Sequence, residues 1–215
     1  VQSFIDDAIS KHIVEAIGKT MLHELVEAKS AGIDPTSKMS DLLHLTQKAC
    51  AHLAIANYVP FGSVLLSDSG AHVHSSSNQL PASDAKLSAL RKQASDAGYT
   101  CLEMLVTFLE DYLNEFPQYA NSEARRNNCS LFINSARDFS LNVSVAVDVP
   151  LFTTMRNEIS HVERESIEPI LGDDLTASLR DKMKSNKPLS KAETSLLKHI
   201  QRALAPLALA GMIPY

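Results

Sequence analysis

The sequence predicts a mainly α fold: a multi-helix bundle around one long central helix, with a small β-hairpin or strand element. Three observations carry this. Between Ser83 and Phe116, the residues Leu87, Leu90, Ala94, Ala97, Cys101, Leu105, Phe108, Tyr112 and Phe116 recur at steps of three and four, one apolar stripe on one helix. Near the end, Ser190-Lys191-Ala192-Glu193 is a capping box that opens a second long helix. The period drops to two only at 63–75 and 141–149. With 215 residues, 45% hydrophobic and 21% charged, the chain has the composition of a globular protein. A single helical domain over 1–215 is expected, with an N-terminal helical subregion at 1–60.

In chain order, Phe4, Ile5, Ile9, Ile13, Ile17, Leu22 and Val26 make helical faces with a break at Gly18. Asp34 before Pro35 predicts the next helix start, a carboxylate cap followed by a first-turn proline. That helix carries Leu42, Leu45, Ala49, Leu53 and Ala56 on one stripe and ends at Pro60. Segments 63–67 and 71–75 flank Asp68-Ser69-Gly70, a hairpin composition with glycine at a positive-φ position. After the long helix, 117–128 is polar and contains Arg125-Arg126, and a short helix or turn is expected between Ser130 and Phe139. Leu141, Val143, Val145, Val147 and Val149 alternate with polar or small residues, a half-buried strand that either joins the hairpin or straps two helical layers. Pro150 opens a helix carrying Phe152, Met155, Ile159, Val162 and Ile167, and Gly172 closes it. Another helix runs from Asp173 or Asp174 to Met183. The last runs through Leu196, Leu197, Ile200, Leu204, Leu207 and Met212. Its Ala203, Ala205, Ala208 and Ala210 predict close packing in the bundle centre, and Pro206 a kink costing about 3 kcal/mol. No repeat of 20 to 50 residues is visible.

A net charge of −5 argues against a protein that coats nucleic acid non-specifically. Cys50, Cys101 and Cys129 lie far apart with no zinc spacing, so reduced buried thiols are expected. No run approaches a membrane span and no secretion signal opens the chain. Glu158 and His161 have the Glu-x-x-His spacing of a di-metal bundle, but the partner motif is missing. His72 and His74 would share one strand face, and His23 with Glu27 and His12 with Glu15 stand at helical neighbour spacings. No hydrolase elbow, phosphate loop, dinucleotide fingerprint or zincin motif occurs, so no catalytic, cofactor-binding or metal residue is assigned and no cofactor is expected.

Two surfaces stand out as interaction candidates. Phe116, Tyr119, Arg125 and Arg126 mix aromatics with arginine, the composition of an interface anchor. Arg180, Lys182, Lys184, Lys187 and Lys191, continued by Lys198 and Arg202, form a basic run that is either a solvated corner or a contact for phosphates. Glu103, Glu110, Asp111 and Glu115 on the long helix are its acidic counterpart, and opposite patches on one chain suit head-to-tail contacts between copies.

The order of segments carries a resemblance. An alanine-rich helix with Ala51-His52-Leu53-Ala54-Ile55-Ala56 is followed by the hairpin and then by Leu102-Glu103-Met104-Leu105-Val106-Thr107-Phe108-Leu109-Glu110. After Phe116 and Tyr119 come Leu131-Phe132-Ile133-Asn134-Ser135-Ala136-Arg137-Asp138-Phe139, Arg202-Ala203-Leu204-Ala205 and Leu207-Ala208-Leu209-Ala210. This resembles a family of uncharacterised virion-type proteins in tailed phages and prophages of gut Bacteroidetes, over most of the chain. The resemblance implies a structural part without catalysis, as head–tail connector, adaptor or head-completion subunit. Its partners would be other virion proteins and copies of itself, close to DNA, with no membrane and no small-molecule substrate. Its place would be the virion or the bacterial host cytoplasm. The rival readings are a nucleic-acid-binding or regulatory helical protein using the basic run, and a metal-dependent enzyme using Glu158 and His161.

Overall fold

The computed structural model describes residues 1–34, 36–62, 64–67, 70–73 and 83–212. It is mainly helical, and where the sequence reading expects one domain the chain divides into two compact units, Val1–Ser122 and Glu123–Tyr215, each with its own core.

Unit 1 opens with α1 (Gln2–Ala8), a π-helical turn (Ile9–Ile13) and α2 (Val14–Ile17), then α3 (Lys19–Ala31) and α4 (Lys38–Gly62). The predicted break falls at Gly18, whose φ of 84° is costly for any residue with a Cβ. Gly32 also has a positive φ, 87°. The Asp34 carboxylate accepts from the Thr36 amide at 2.9 Å and the Thr36 hydroxyl at 2.8 Å. The next helix nevertheless starts only at Lys38, where Ser37 Oγ accepts from the Ser40 amide at 3.2 Å. Asp34 is therefore a turn residue and not the cap, and Pro35 lies outside the described residues. At its far end α4 does not stop at Pro60 but carries it in the last turn.

Strands β1 (Val64–Ser67) and β2 (Gly70–Val73) pair antiparallel, with Val64 opposite Val73 and Ser67 opposite Gly70. Asp68 and Ser69 lie outside the described residues. Helix α5 (Asp84–Asp111) follows, then a 3-10 turn (Leu113–Glu115) and α6 (Pro117–Ala120). The long helix thus ends five residues short of Phe116, with Tyr112 leaving the helix at φ −114° and ψ 32°, and Phe116 itself sits at φ −122° ahead of Pro117. Lys38 fastens this end, pairing with Glu115 and lying 3.8 Å from the centroid of the Tyr112 ring. The α5 stripe is buried at Ala94, Cys101 and Leu105, while Leu90 near its start is exposed. Opposite it, Leu42, Ala49, Leu53 and Ala56 of α4 are buried, and a Cβ on Gly98 would stand 2.7 Å from the Leu53 side chain. Only glycine lets the two helices approach this closely.

Unit 2 contains α7 (Glu123–Asn128), α8 (Ala136–Ser140), α9 (Val149–Val162), a π-helical turn (Glu163–Ile167), α10 (Glu168–Leu171), α11 (Asp173–Lys184) and α12 (Lys191–Gly211). The predicted strand at 141–149 is absent. Leu141 is 75% and Val145 54% exposed, whereas Val147 is buried. Alternation makes a strand only where another strand takes its backbone groups, and here Ser140 Oγ takes the Val147 amide at 2.9 Å, closing the segment as a loop. Asp148 then caps α9 by accepting from the Leu151 amide at 2.9 Å. The capping box forms as read: Ser190 Oγ accepts from the Glu193 amide at 3.2 Å, and Glu193 accepts from the Ser190 amide at 2.8 Å. Pro206 lies inside an uninterrupted α12.

The two units share a helical module at a constant spacing of 154 residues. Ile9–Ile13 and Glu163–Ile167 are the same π-helical turn, Val14–Ile17 and Glu168–Leu171 the same four-residue helix. Gly18 (φ 84°, ψ 156°) matches Gly172 (φ 78°, ψ 159°), and positive-φ Gly32 matches Asn186 at φ 51°. From Leu42 and Leu196 onward the register holds in sequence, with nine identities in twenty positions. They are Leu42, Leu43, Gln47, Ala49, Ala51, Leu53, Ala54, Ala56 and Pro60 against Leu196, Leu197, Gln201, Ala203, Ala205, Leu207, Ala208, Ala210 and Pro214. The repeat unit is about 60 residues long and its two copies are separated by the α5 region and the segments after it.

Candidate functional site

The aromatic and arginine candidates do not form a surface. Phe116 and Tyr119 are core residues of unit 1, and the Tyr119 hydroxyl donates to Glu110 Oε1 at 2.9 Å. Arg125 is 3% exposed and its guanidinium donates to the Lys184 carbonyl in unit 2. Only Arg126 is exposed. The correction has a simple cause: helix-end aromatics cap their own core, and a buried arginine satisfies a carbonyl that a helix terminus leaves open.

The basic run divides. Arg180 is spent on two carboxylates, Glu163 at 2.8 Å and Glu168 at 2.7 Å. Glu163 is fully buried and its other oxygen accepts from the Phe132 amide at 2.6 Å. Burial pushes its carboxyl above the ordinary glutamate value, opposed by the Phe132 amide and Arg180. Lys182 donates to Glu193 at 2.6 Å, and that contact, with the Ser190 bonds, holds the Glu193 carboxyl down to about 2. Lys184 is half-buried, while Lys187 and Lys191 are exposed, as are Lys198 and Arg202 on α12. The patch is thus smaller than its sequence suggests, because two of its five leading cations hold unit 2 together.

Among the metal candidates, Glu158 lies over Gly211, where an added Cβ would meet its Oε1 at 2.2 Å, and His161 Nδ1 is 3.4 Å from Arg164. His23 pairs with Glu27 at 3.2 Å on the exposed side of α3, in an open cleft with Thr20, Glu24 and Gln118. His74 lies outside the described residues. Burial lowers the pKa of His12, which stacks edge-on against Tyr99 at 5.6 Å. Among the described residues no three His, Cys, Asp or Glu side chains gather to hold a metal ion, and no helix is long and apolar enough to cross a membrane.

A surface that residue chemistry missed emerges from the repeat. In both copies one face of the last helix packs on the first helix of its module: Thr46 and Ala54 of α4 beside α1, Ile200, Leu204 and Ala208 of α12 beside α9. The second face differs. On α4, Ala49, Leu53 and Ala56 are buried on the α5 side. Their equivalents Ala203, Leu207 and Ala210 are exposed, Leu207 by 47%, with exposed Pro206 beside them. The expectation that all four alanines sit in the bundle centre is therefore half corrected: Ala205 and Ala208 are buried, Ala203 and Ala210 are not.

Comparison with known proteins adds a family. The model of a family of unknown function, DUF6712, matches residues 3–129 and 167–215. The chain belongs to that family. No curated protein and no solved structure matches. The first matched segment of this DUF6712 protein holds nearly all of the first module copy, and the second begins inside the other copy at Ile167. The signal that would have exposed the α12 face in the sequence is the alignment of the chain against itself at a spacing of 154.

Proposed function

We propose that this protein is a structural assembly subunit of a phage or prophage particle, a head–tail connector or adaptor that acts through self-association and protein contacts and carries out no catalysis. The observation that supports it is the duplicated module. One chain presents two related helix faces, one covered within its own unit and one open and apolar, a division that suits a subunit built to be covered by a neighbour. In this reading α5 is the organising strut of the fold, with the β1–β2 ladder peripheral to it. The resemblance to virion-type proteins supplies the particle. The experiment is mass spectrometry of gradient-banded particles from an induced lysate. Stoichiometric presence is the expected result, and absence from well-formed, DNA-filled particles overturns the reading.

A second reading is supported by the cations left exposed in this stretch of unit 2: Lys187, Lys191, Lys198 and Arg202 suit nucleic-acid phosphates. Retention on DNA that weakens with salt and disappears when these four are neutralised would favour it. The third, a metal-dependent enzyme at Glu158 and His161, is tested by elemental analysis of the purified protein.

A further inference from the structure

We infer that the open face of α12 formed by Ala203, Leu207 and Ala210 is a docking site for one amphipathic helix of another polypeptide, a helix with the pattern of α5. The inference rests on the assembly reading and gives it a surface.

The repeat says what covers such a face. In unit 1 the equivalent residues Ala49, Leu53 and Ala56 are buried on the side where α5 packs, and α5 brings glycine, Gly98, to the point where Leu53 protrudes. Leu207 is the same residue at the same place on α12, again between two alanines one turn away on either side. A covering helix must therefore offer a small residue opposite Leu207 and apolar residues above and below it, as Ala94, Gly98, Cys101 and Leu105 do on α5. Charge selects further. His199 and Arg202 stand beside the open face and are exposed, so an occupant with an acidic flank is favoured. Among the described residues the chain holds one α5 and two faces of this kind, and its own α5 already covers α4. The helix for α12 must come from a different chain whose α5-like helix is not yet committed.

The test uses the full chain and, as probe, a labelled peptide spanning residues 84–111. Saturable one-to-one binding is expected, weakened by salt and weakened at least tenfold by Leu207→Glu, an exposed position whose substitution leaves the circular dichroism unchanged. A Gly98→Leu peptide is expected not to bind. Absence of binding overturns the inference. So does equal binding to L207E, which would place the peptide on α4 or elsewhere. A wild-type dimer that L207E turns into a monomer, with no peptide bound, overturns it too, since the face would then belong to a second copy. Particle association without peptide binding would sink this inference alone, and peptide binding by a protein absent from particles would sink the assembly reading alone.

Discussion

The two copies of the helical module share their order of elements and their positive-φ positions and hold them by different chemistry. At the π-helical turn, copy one has Ile9, Val14 and Val26 where copy two has Glu163, Glu168 and Arg180. The second set is an ion cluster with a fully buried carboxylate, an arrangement whose desolvation cost often exceeds its Coulombic gain. Its presence has a local reason. Unit 2 threads the segment around Phe132 against the turn, and the buried Phe132 amide needs an acceptor, which Glu163 Oε1 supplies at 2.6 Å. The lesson is that a fold tolerates a change from apolar to ionic at matched positions when a neighbouring backbone group demands it.

The comparison can be broken most severely at Glu163. Glu163→Ala leaves the Phe132 amide without its acceptor, opens a cavity at a fully buried site and leaves Arg180 with Glu168 alone, and is expected to cost about 3–5 kcal/mol in denaturant unfolding. The combined change Glu163→Ile, Glu168→Val, Arg180→Val, which writes copy one into copy two, is expected to cost less than the single change, because only the Phe132 amide is then unsatisfied, at about 1–3 kcal/mol. A triple variant less stable than Glu163→Ala would show that the ion cluster itself drives folding of the turn.

The second contrast lies between equivalent leucines. Leu53→Ala, at a 3% exposed site, should lose about 2–5 kcal/mol, whereas Leu207→Ala should stay within about 0.5 kcal/mol of wild type. Equal losses in thermal unfolding would mean that the α12 face is covered in the isolated protein. At the glycine between the short and long helices, Gly172→Ala is expected to cost about 1 kcal/mol or more. No atom lies within 4 Å of the added Cβ, so the loss is backbone strain at φ 78° alone.

The smallest effect is the acid titration of Glu193. Its carboxyl titrates at about 2 in the fold against an ordinary value of 4.5, so its contribution is present above the unfolded value and is lost as pH falls from about 4.5 toward 2. Glu193→Gln should flatten stability over that window and leave it unchanged in slope above pH 5; an unaltered acid limb would refute the Lys182 contact.

Local chemistry was readable where a few neighbouring residues decide the outcome. The capping box at Ser190 and the break at Gly18 follow from groups acting on their own helix, and the apolar stripes of α4 and α5 from their spacing. Elements whose backbone partners are remote were not. The 141–149 alternation looked like a strand until Ser140 took its amide, and Arg125 looked like a surface cation until the Lys184 carbonyl, far along the chain, received it. Of the candidate site, Lys187 and Lys191 remain on the surface as read, while Phe116 and Tyr119 are core. The open α12 face was invisible as chemistry, since exposed and buried leucines look alike in one sequence.

Helix content, the capped helix start at Ser190 and the residues able to sit at positive φ were determined by the sequence alone, because hydrogen bonding within a helix and steric limits at Cβ act over a few residues. Only the tertiary structure decided that the chain makes two compact units, that Arg180 belongs to a buried carboxylate, and that of two matched leucines one is covered and one is open. Burial is a property of what packs from elsewhere, and α5 covers α4 alone.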